Sequence, residues 1–263
     1  DDWQPIAREL GVRFRGVHFY DGHLRDPDVE VRTREAARGY DSLLAFVNRL
    51  EESRAPVREI ITSGTPALMP AIRHEGLARF HAPRDGRVHC ISAGTVLLHD
   101  AGYAVIAPEL ALTPAAVVMS RVISAPVEGR ITLDAGSKSL AAETGDPCVC
   151  IASHTEWRAL TPSEEHLPVE IGGAAPPAPG TMLRLIPRHV CPTVNLAERA
   201  VLLEGDGSWR EIEIIARAYQ VGEGRSDRER QGDSAHLAAD ALDGNRGHRV
   251  CDGVCAPARD ARR

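Results

Sequence analysis

Lysine is almost absent from this chain. Of 31 basic residues only Lys138 is a lysine, and the rest are arginine, a bias we read as the codon usage of a GC-rich genome. The 37 acidic residues outnumber the basic ones and leave a net charge of −6. No basic field therefore exists to attract nucleic acid or an anionic membrane. No run of 18 apolar residues occurs, so no transmembrane helix is expected, and the opening residues do not read as a signal peptide. Six cysteines (Cys90, Cys148, Cys150, Cys191, Cys251, Cys255) show no disulfide framework, and 263 residues do not need one. A reducing cytoplasm is the expected location. Residues 222–263 lack Phe, Trp and Tyr and hold few aliphatics. Such a segment cannot bury enough apolar surface to offset its ordering entropy, so it reads as a disordered tail or an out-of-frame translation. Cys251 and Cys255 lie there without a second ligand pair.

The remainder has the 43% apolar content of an ordinary globular chain, and its patterning changes once. Trp3 to Leu10 reads as a helix. Val12 to Tyr20 reads as a strand, Thr33 to Arg54 as an amphipathic helix, and Val57 to Thr62 as a second strand. Tyr40, Leu43, Leu44, Val47 and Leu50 form the helix's apolar stripe. Pro66 to His74 is a short helix and Val88 to Leu98 a further strand. This alternation predicts a parallel α/β layout. After Thr113-Pro114 only short β-type runs are expected: Ala116 to Ser124, Arg130 to Leu133, Pro147 to Ala152, Thr181 to Ile186, Ala200 to Leu203 and Trp209 to Ala216. Asp206-Gly207 is a hairpin signal between the last two. The expected organisation is an α/β part over residues 1–113, an all-β domain over 114–221, and the tail over 222–263.

Three segments carry residue types suited to chemistry. In Ile186-Pro187-Arg188-His189-Val190-Cys191-Pro192, a His and a Cys stand two apart after an apolar run. On an extended chain they would point to the same side and converge on a borderline cation such as zinc. A buried Cys and a hydrogen-bonded His at a strand end is the competing reading. Ser63-Gly64-Thr65-Pro66 follows a strand and opens a helix, which suits close backbone approach to a phosphate or an ordinary turn. Ala93-Gly94-Thr95 stands one strand later, where a second lobe of a phosphate cup would sit.

His189-Val190-Cys191-Pro192-Thr193-Val194-Asn195-Leu196 resembles the metal-binding segment of the D-serine dehydratase and D-threonine aldolase family. Gly16–His23, Ile61–Pro66, Ser92–Val96, Asp134–Lys138 and Ser163–His166 resemble further family segments, in the family's order. The likeness runs from about Leu10 to about Tyr219. It implies the C-terminal strands of a (β/α)8 barrel that binds pyridoxal phosphate (PLP), followed by a β-domain. Phosphate contacts would fall to Ser63, Gly64, Thr65, Gly94 and Thr95, as loops after late barrel strands often serve this role. Tyr103 is a further candidate. Tyr20 and His23 would face the site, and His189 and Cys191 would bind zinc, with manganese the alternative. Glu165 and His166 would stand near the metal or in an exposed acidic loop. Asp134 and Lys138 would line the site or a dimer interface, or form a solvated pair.

The resemblance also implies a reaction. A D-3-hydroxy amino acid would lose water and ammonia to give a keto acid, with zinc aiding departure of the 3-hydroxyl. The alternative is retro-aldol cleavage to glycine and an aldehyde. A thiolate ligand such as Cys191 goes with zinc and the dehydratase. The family's cofactor lysine lies on the first barrel strand, and Lys138 matches a different family position. The expectation is therefore that an N-terminal part is missing here and that this chain by itself is an incompetent fragment. Intact, it would form a homodimer.

Overall fold

A helix, α1 (Trp3–Leu10), leads through a 3-10 turn at Gly11–Arg13 into the first strand, β1 (Gly16–Phe19). That turn, closed by Phe14 N–H to Gly11 O, is why the strand begins later than the apolar pattern from Val12 predicts. The helix α2 (Val29–Glu52) follows, starting four residues before the expected Thr33. Its cause is Asp28, whose carboxylate accepts from the N–H groups of Glu30 and Val31. Ala36, Tyr40, Leu43, Val47 and Leu50 are its buried face. The strand β2 (Glu59–Thr62), the helices α3 (Leu68–Arg73) and α4 (Glu75–Phe80), and the strand β3 (Val88–Ile91) complete the pattern. β1, β2 and β3 pair in parallel in that order. β3 ends at Ile91, not near Leu98, because a 3-10 turn at Gly94–Leu97 takes over. The helix α5 (Ala101–Ile106) then closes the segment.

The computed structural model describes residues 3–217. The expected tail and the Cys251/Cys255 pair lie outside the described residues. From Val118 onward the strands are antiparallel. They are β4 (Val118–Val127), β5 (Arg130–Leu133), β6 (Val149–Ile151), β7 (Arg158–Ala159), β8 (Leu167–Glu170) and β9 (Met182–Pro187). Their order in one sheet is β6-β9-β4-β5-β8-β7. The outer strands β6 and β7 approach each other, so the sheet curls nearly closed. β7 and β8 were not expected: they are only two and four residues long. Ile131, Leu133, Leu167, Val169, Leu183 and Leu185 alternate into one core, with Val122, Val149, Ile151 and Trp157. A second core lies under α2 and contains Leu24, Val57, Ile60, Leu77 and Phe80.

The helix α6 (Val190–Leu196) replaces the extended chain expected around His189 and Cys191. Contacts divide the described chain at Thr193/Val194. In the second unit, β10 (Arg199–Leu203) and β11 (Trp209–Glu213) form the expected hairpin. Asp206 turns it by accepting the Ser208 N–H at 2.8 Å. No helix among the described residues is long and apolar enough to cross a membrane.

Candidate functional site

In a parallel sheet the carboxyl ends of the strands gather their loops at one end, where α/β folds place ligands. At that end of β1, Asp21 is 1% exposed. Its carboxylate accepts the Tyr40 hydroxyl at 2.6 Å and the Gly64 N–H at 2.5 Å. The Gly64 N–H is thus used to hold the turn itself. Tyr20 is 64% exposed, with its ring against Gly22 and Gly64. His23 is exposed beside it.

After β2, Ser63 sits at φ +69° and is fully buried, and its hydroxyl has no partner. A strained non-glycine residue with an orphaned hydroxyl is the kind of outlier that accumulates at ligand sites. Thr65 and Pro66 are buried in the following turn. The 3-10 turn after β3 adjoins the one after β2, with open space around Gly94. These observations fit an anion's place: two adjacent backbone turns, one orphaned hydroxyl, and room at Gly94.

The same turn touches the metal-type segment. Thr95 Oγ1 lies 3.3 Å from Cys191 Sγ, in hydrogen-bonding contact. Strand β9 ends at Pro187, His189 stands half-buried in the bend that follows, and Cys191 is exposed in the first turn of α6. The two donors are therefore not paired along one face of a strand; a strand end and a helix start present them. A nitrogen and a sulfur donor suit zinc, and with two protein ligands the remaining positions would fall to water or substrate. Among the described residues no group of three or more His, Cys, Asp or Glu gathers around them.

Asp100, missed in the sequence, is 1% exposed and joins these parts. Its Oδ1 accepts the Tyr103 N–H at 2.8 Å, capping α5, and its Oδ2 accepts the Val190 N–H at 3.0 Å. An Asp before a short helical run is a legible cap signal; its second bond, 90 residues away, is not. A cleft of about 710 Å³ opens beside α5, lined by Arg25, Tyr103, Trp157, Arg188 and His189 among others. It takes in one end of the metal segment but not the two phosphate-type turns. Burial, followed by the field of Tyr20, raises the Tyr103 phenol, which therefore stays protonated and can donate.

Lys138 lies on the surface and pairs with Glu165 at 2.9 Å and Glu164 at 3.2 Å. These contacts, Glu165 first, raise its pKa. The two flanking loops are zipped together by Ser137 N–H to Ser163 O and Lys138 N–H to Glu164 O. Gly136 permits this approach, since a Cβ there would meet Glu164 O at 2.2 Å. Asp134 accepts the Ser120 hydroxyl and the Arg121 N–H, contacts that lower its pKa, the Arg121 N–H most. Both family-like loops thus have an internal structural role. His166 closes its own loop by accepting the Ser163 N–H through its carbonyl.

A family model described as "Putative serine dehydratase domain" matches residues 115–203. A D-threonine aldolase of an Arthrobacter species is 32% identical over 218 residues, which is 81% of this chain and 54% of that enzyme. The chain thus spans about half the length of that curated relative. Among solved structures, D-threonine aldolase from Filomicrobium marinum superposes with a TM-score of 0.66 at 24% identity, covering 81% of this chain and 57% of that one. D-threo-3-hydroxyaspartate dehydratase from Delftia sp. HT23 does so with 0.61 at 20%, covering 83% and 62%; a mutant of that dehydratase has been solved in a metal-free form. The two structures establish a shared fold.

Proposed function

Because the chain belongs to the D-serine dehydratase and D-threonine aldolase family, we propose that it is part of a PLP- and zinc-dependent lyase acting on D-3-hydroxy amino acids. The observation that carries this reading is the 3.3 Å contact between Thr95 and Cys191, which brings the phosphate-type turn against the metal-type segment. Residues 1–113 are assigned to the late strands of a (β/α)8 barrel and 114–221 to the β-domain. Ser63, Gly64, Thr65, Gly94 and Thr95 would hold the cofactor phosphate. His189 and Cys191 would hold the metal.

When bound, PLP supplies an electron sink at the substrate α-carbon, and zinc supplies a Lewis acid for the 3-hydroxyl. The chain's own residues position these groups. Asp21 fixes Gly64 and so the cradle of the first turn. The Tyr103 phenol, kept protonated by burial, would serve as a hydrogen-bond donor. Tyr20 and His23 are the candidates for moving a proton at the exposed end of β1. Lys138, held as a cation by two glutamates, is not the cofactor lysine, and turnover requires a lysine from outside these 263 residues. A soft sulfur ligand such as Cys191 suits zinc, and by the family resemblance such a ligand goes with dehydration to a keto acid and ammonia. The 32% identity to a D-threonine aldolase favours cleavage to glycine and an aldehyde as the second reading. The complete enzyme is proposed to be a cytoplasmic homodimer.

The test uses the full chain with PLP, zinc, D-serine and D-threonine. The expected result is stoichiometric zinc, lost in His189→Ala and Cys191→Ala, without the visible band of lysine-bound PLP. A borohydride-stable label mapped to Lys138 would overturn its assignment. Pyruvate or glycine release would overturn the inactive-fragment reading and choose between dehydratase and aldolase. Zinc retained in both variants would remove the metal assignment.

A further inference from the structure

The peptides on both sides of His189 are held by the first turn of α5. Before it, the Arg188 carbonyl accepts the Gly102 N–H at 3.0 Å. After it, the Val190 N–H donates to Asp100 Oδ2 at 3.0 Å. The approach is so close that a Cβ on Gly102 would lie 2.4 Å from the Arg188 carbonyl oxygen. A residue gripped at the preceding carbonyl and the following N–H has its Cα–Cβ direction set, since only its own φ and ψ remain between two fixed peptide planes.

The grip is tied to the cofactor side of the site. Asp100 stands directly after His99, whose backbone is left-handed at φ +53° and whose N–H donates to Thr95 O at 2.7 Å. Thr95 in turn touches Cys191. From the other side, Thr193 Oγ1 donates to His189 O at 3.0 Å and accepts the Ala141 N–H at 3.3 Å. The carboxylate of Asp100 is buried and accepts one N–H on each oxygen. A buried carboxylate bridging two helix starts in this way is a rigid connector.

We propose that Asp100, with Gly102, is the positioning residue for the metal ligand His189: it sets His189 and Cys191 against the turn that carries Thr95, and metal affinity depends on it. This rests on His189 and Cys191 being the metal ligands. Neither Asp100 nor Gly102 is assigned as a ligand; they would act through the backbone on either side of His189. Groups that orient ligands in this way are worth about 10- to 100-fold in metal affinity when removed.

The experiment is Co²⁺ titration of the full chain, read by the cobalt–thiolate charge-transfer band and by chelator competition. Asp100→Asn keeps the shape but turns one acceptor into a donor that faces an N–H. It is expected to weaken Co²⁺ binding at least tenfold and to alter the band, with the circular dichroism unchanged. Asp134→Asn, which alters an exposed aspartate bonded to Ser120 and Arg121 far from His189 in sequence, is expected to leave the band as it is. Should Asp100→Asn be unfolded, Gly102→Ala carries the test, since its one added methyl displaces the Arg188 carbonyl and is expected to weaken binding similarly. Unchanged Co²⁺ affinity and band in a folded variant overturns the positioning role alone. A wild-type band that survives Cys191→Ala, or no wild-type band, overturns the metal assignment and this role with it.

Discussion

His89 carries a pH dependence that follows from its surroundings. Its Nε2 pairs with Thr62 Oγ1 at 2.8 Å. Burial, then the nearby His81 and His74, hold its pKa below the ordinary 6.5. Burial also lowers His99, against an opposing pull from Asp100. Below pH 6.5 the unfolded chain therefore binds protons that the folded chain refuses. This contribution to stability is intact above pH 6.5 and declines as the pH falls from there towards the lowered folded values. The urea midpoint is expected to drop between pH 7.5 and 5.5, and His89→Gln to flatten that slope; equal slopes in the two proteins would contradict the assignment. The Cys148 thiol is pushed up to about 11, chiefly by burial and then by Asp146, so it stays protonated at neutral pH. Residues of this kind were hard to read in sequence. His189 and Cys191 stood out because they are neighbours in the chain, whereas Asp100 acquires its meaning only from a partner 90 residues away.

At the scale of elements, Arg32 shows how the helix α2 is fixed over the site. Its guanidinium is fully buried. It donates to the carbonyls of Asp26 and Ile106, each at 2.6 Å, and of Pro66 at 3.3 Å, and it pairs with Glu109. One side chain thus ties the loop after β1, the turn after β2 and the end of α5. Arg32→Met would leave these carbonyls unpaired at about 1–3 kcal/mol for each that remains buried. A loss of about 3 kcal/mol or more is expected in urea unfolding, and a loss under about 1 kcal/mol would show that water takes over the contacts. The helix was legible because its apolar stripe repeats every three to four residues; its start was set by the Asp28 cap instead. α6 was not legible, because Pro192 reads as a terminator of strand pairing and equally suits a first helical turn.

For the molecule as a whole, the described residues bury two separate cores, one under α2 and one inside the curled antiparallel sheet. The sheet of β1, β2 and β3 leaves the outer sides of β1 and β3 unpaired among the described residues. Open parallel edges favour association. Sedimentation of the chain is expected to show mass rising with concentration, and a monomer at every concentration would show the edges to be covered.

The alternation of strand and helix up to β3, the change to short β-type runs after Thr113-Pro114, the Asp206-Gly207 hairpin and the choice of His189 and Cys191 as candidates could be read from the sequence alone. Each rests on residues within a few positions of one another, where periodicity, capping and turn chemistry operate. The tertiary structure alone decided that the turn with Thr95 meets Cys191, that Asp100 and Gly102 grip the backbone around His189, and that Lys138 answers two glutamates. Those pairings join residues far apart in the chain, and they form only because the two cores bring α5 and the end of β9 to the same place.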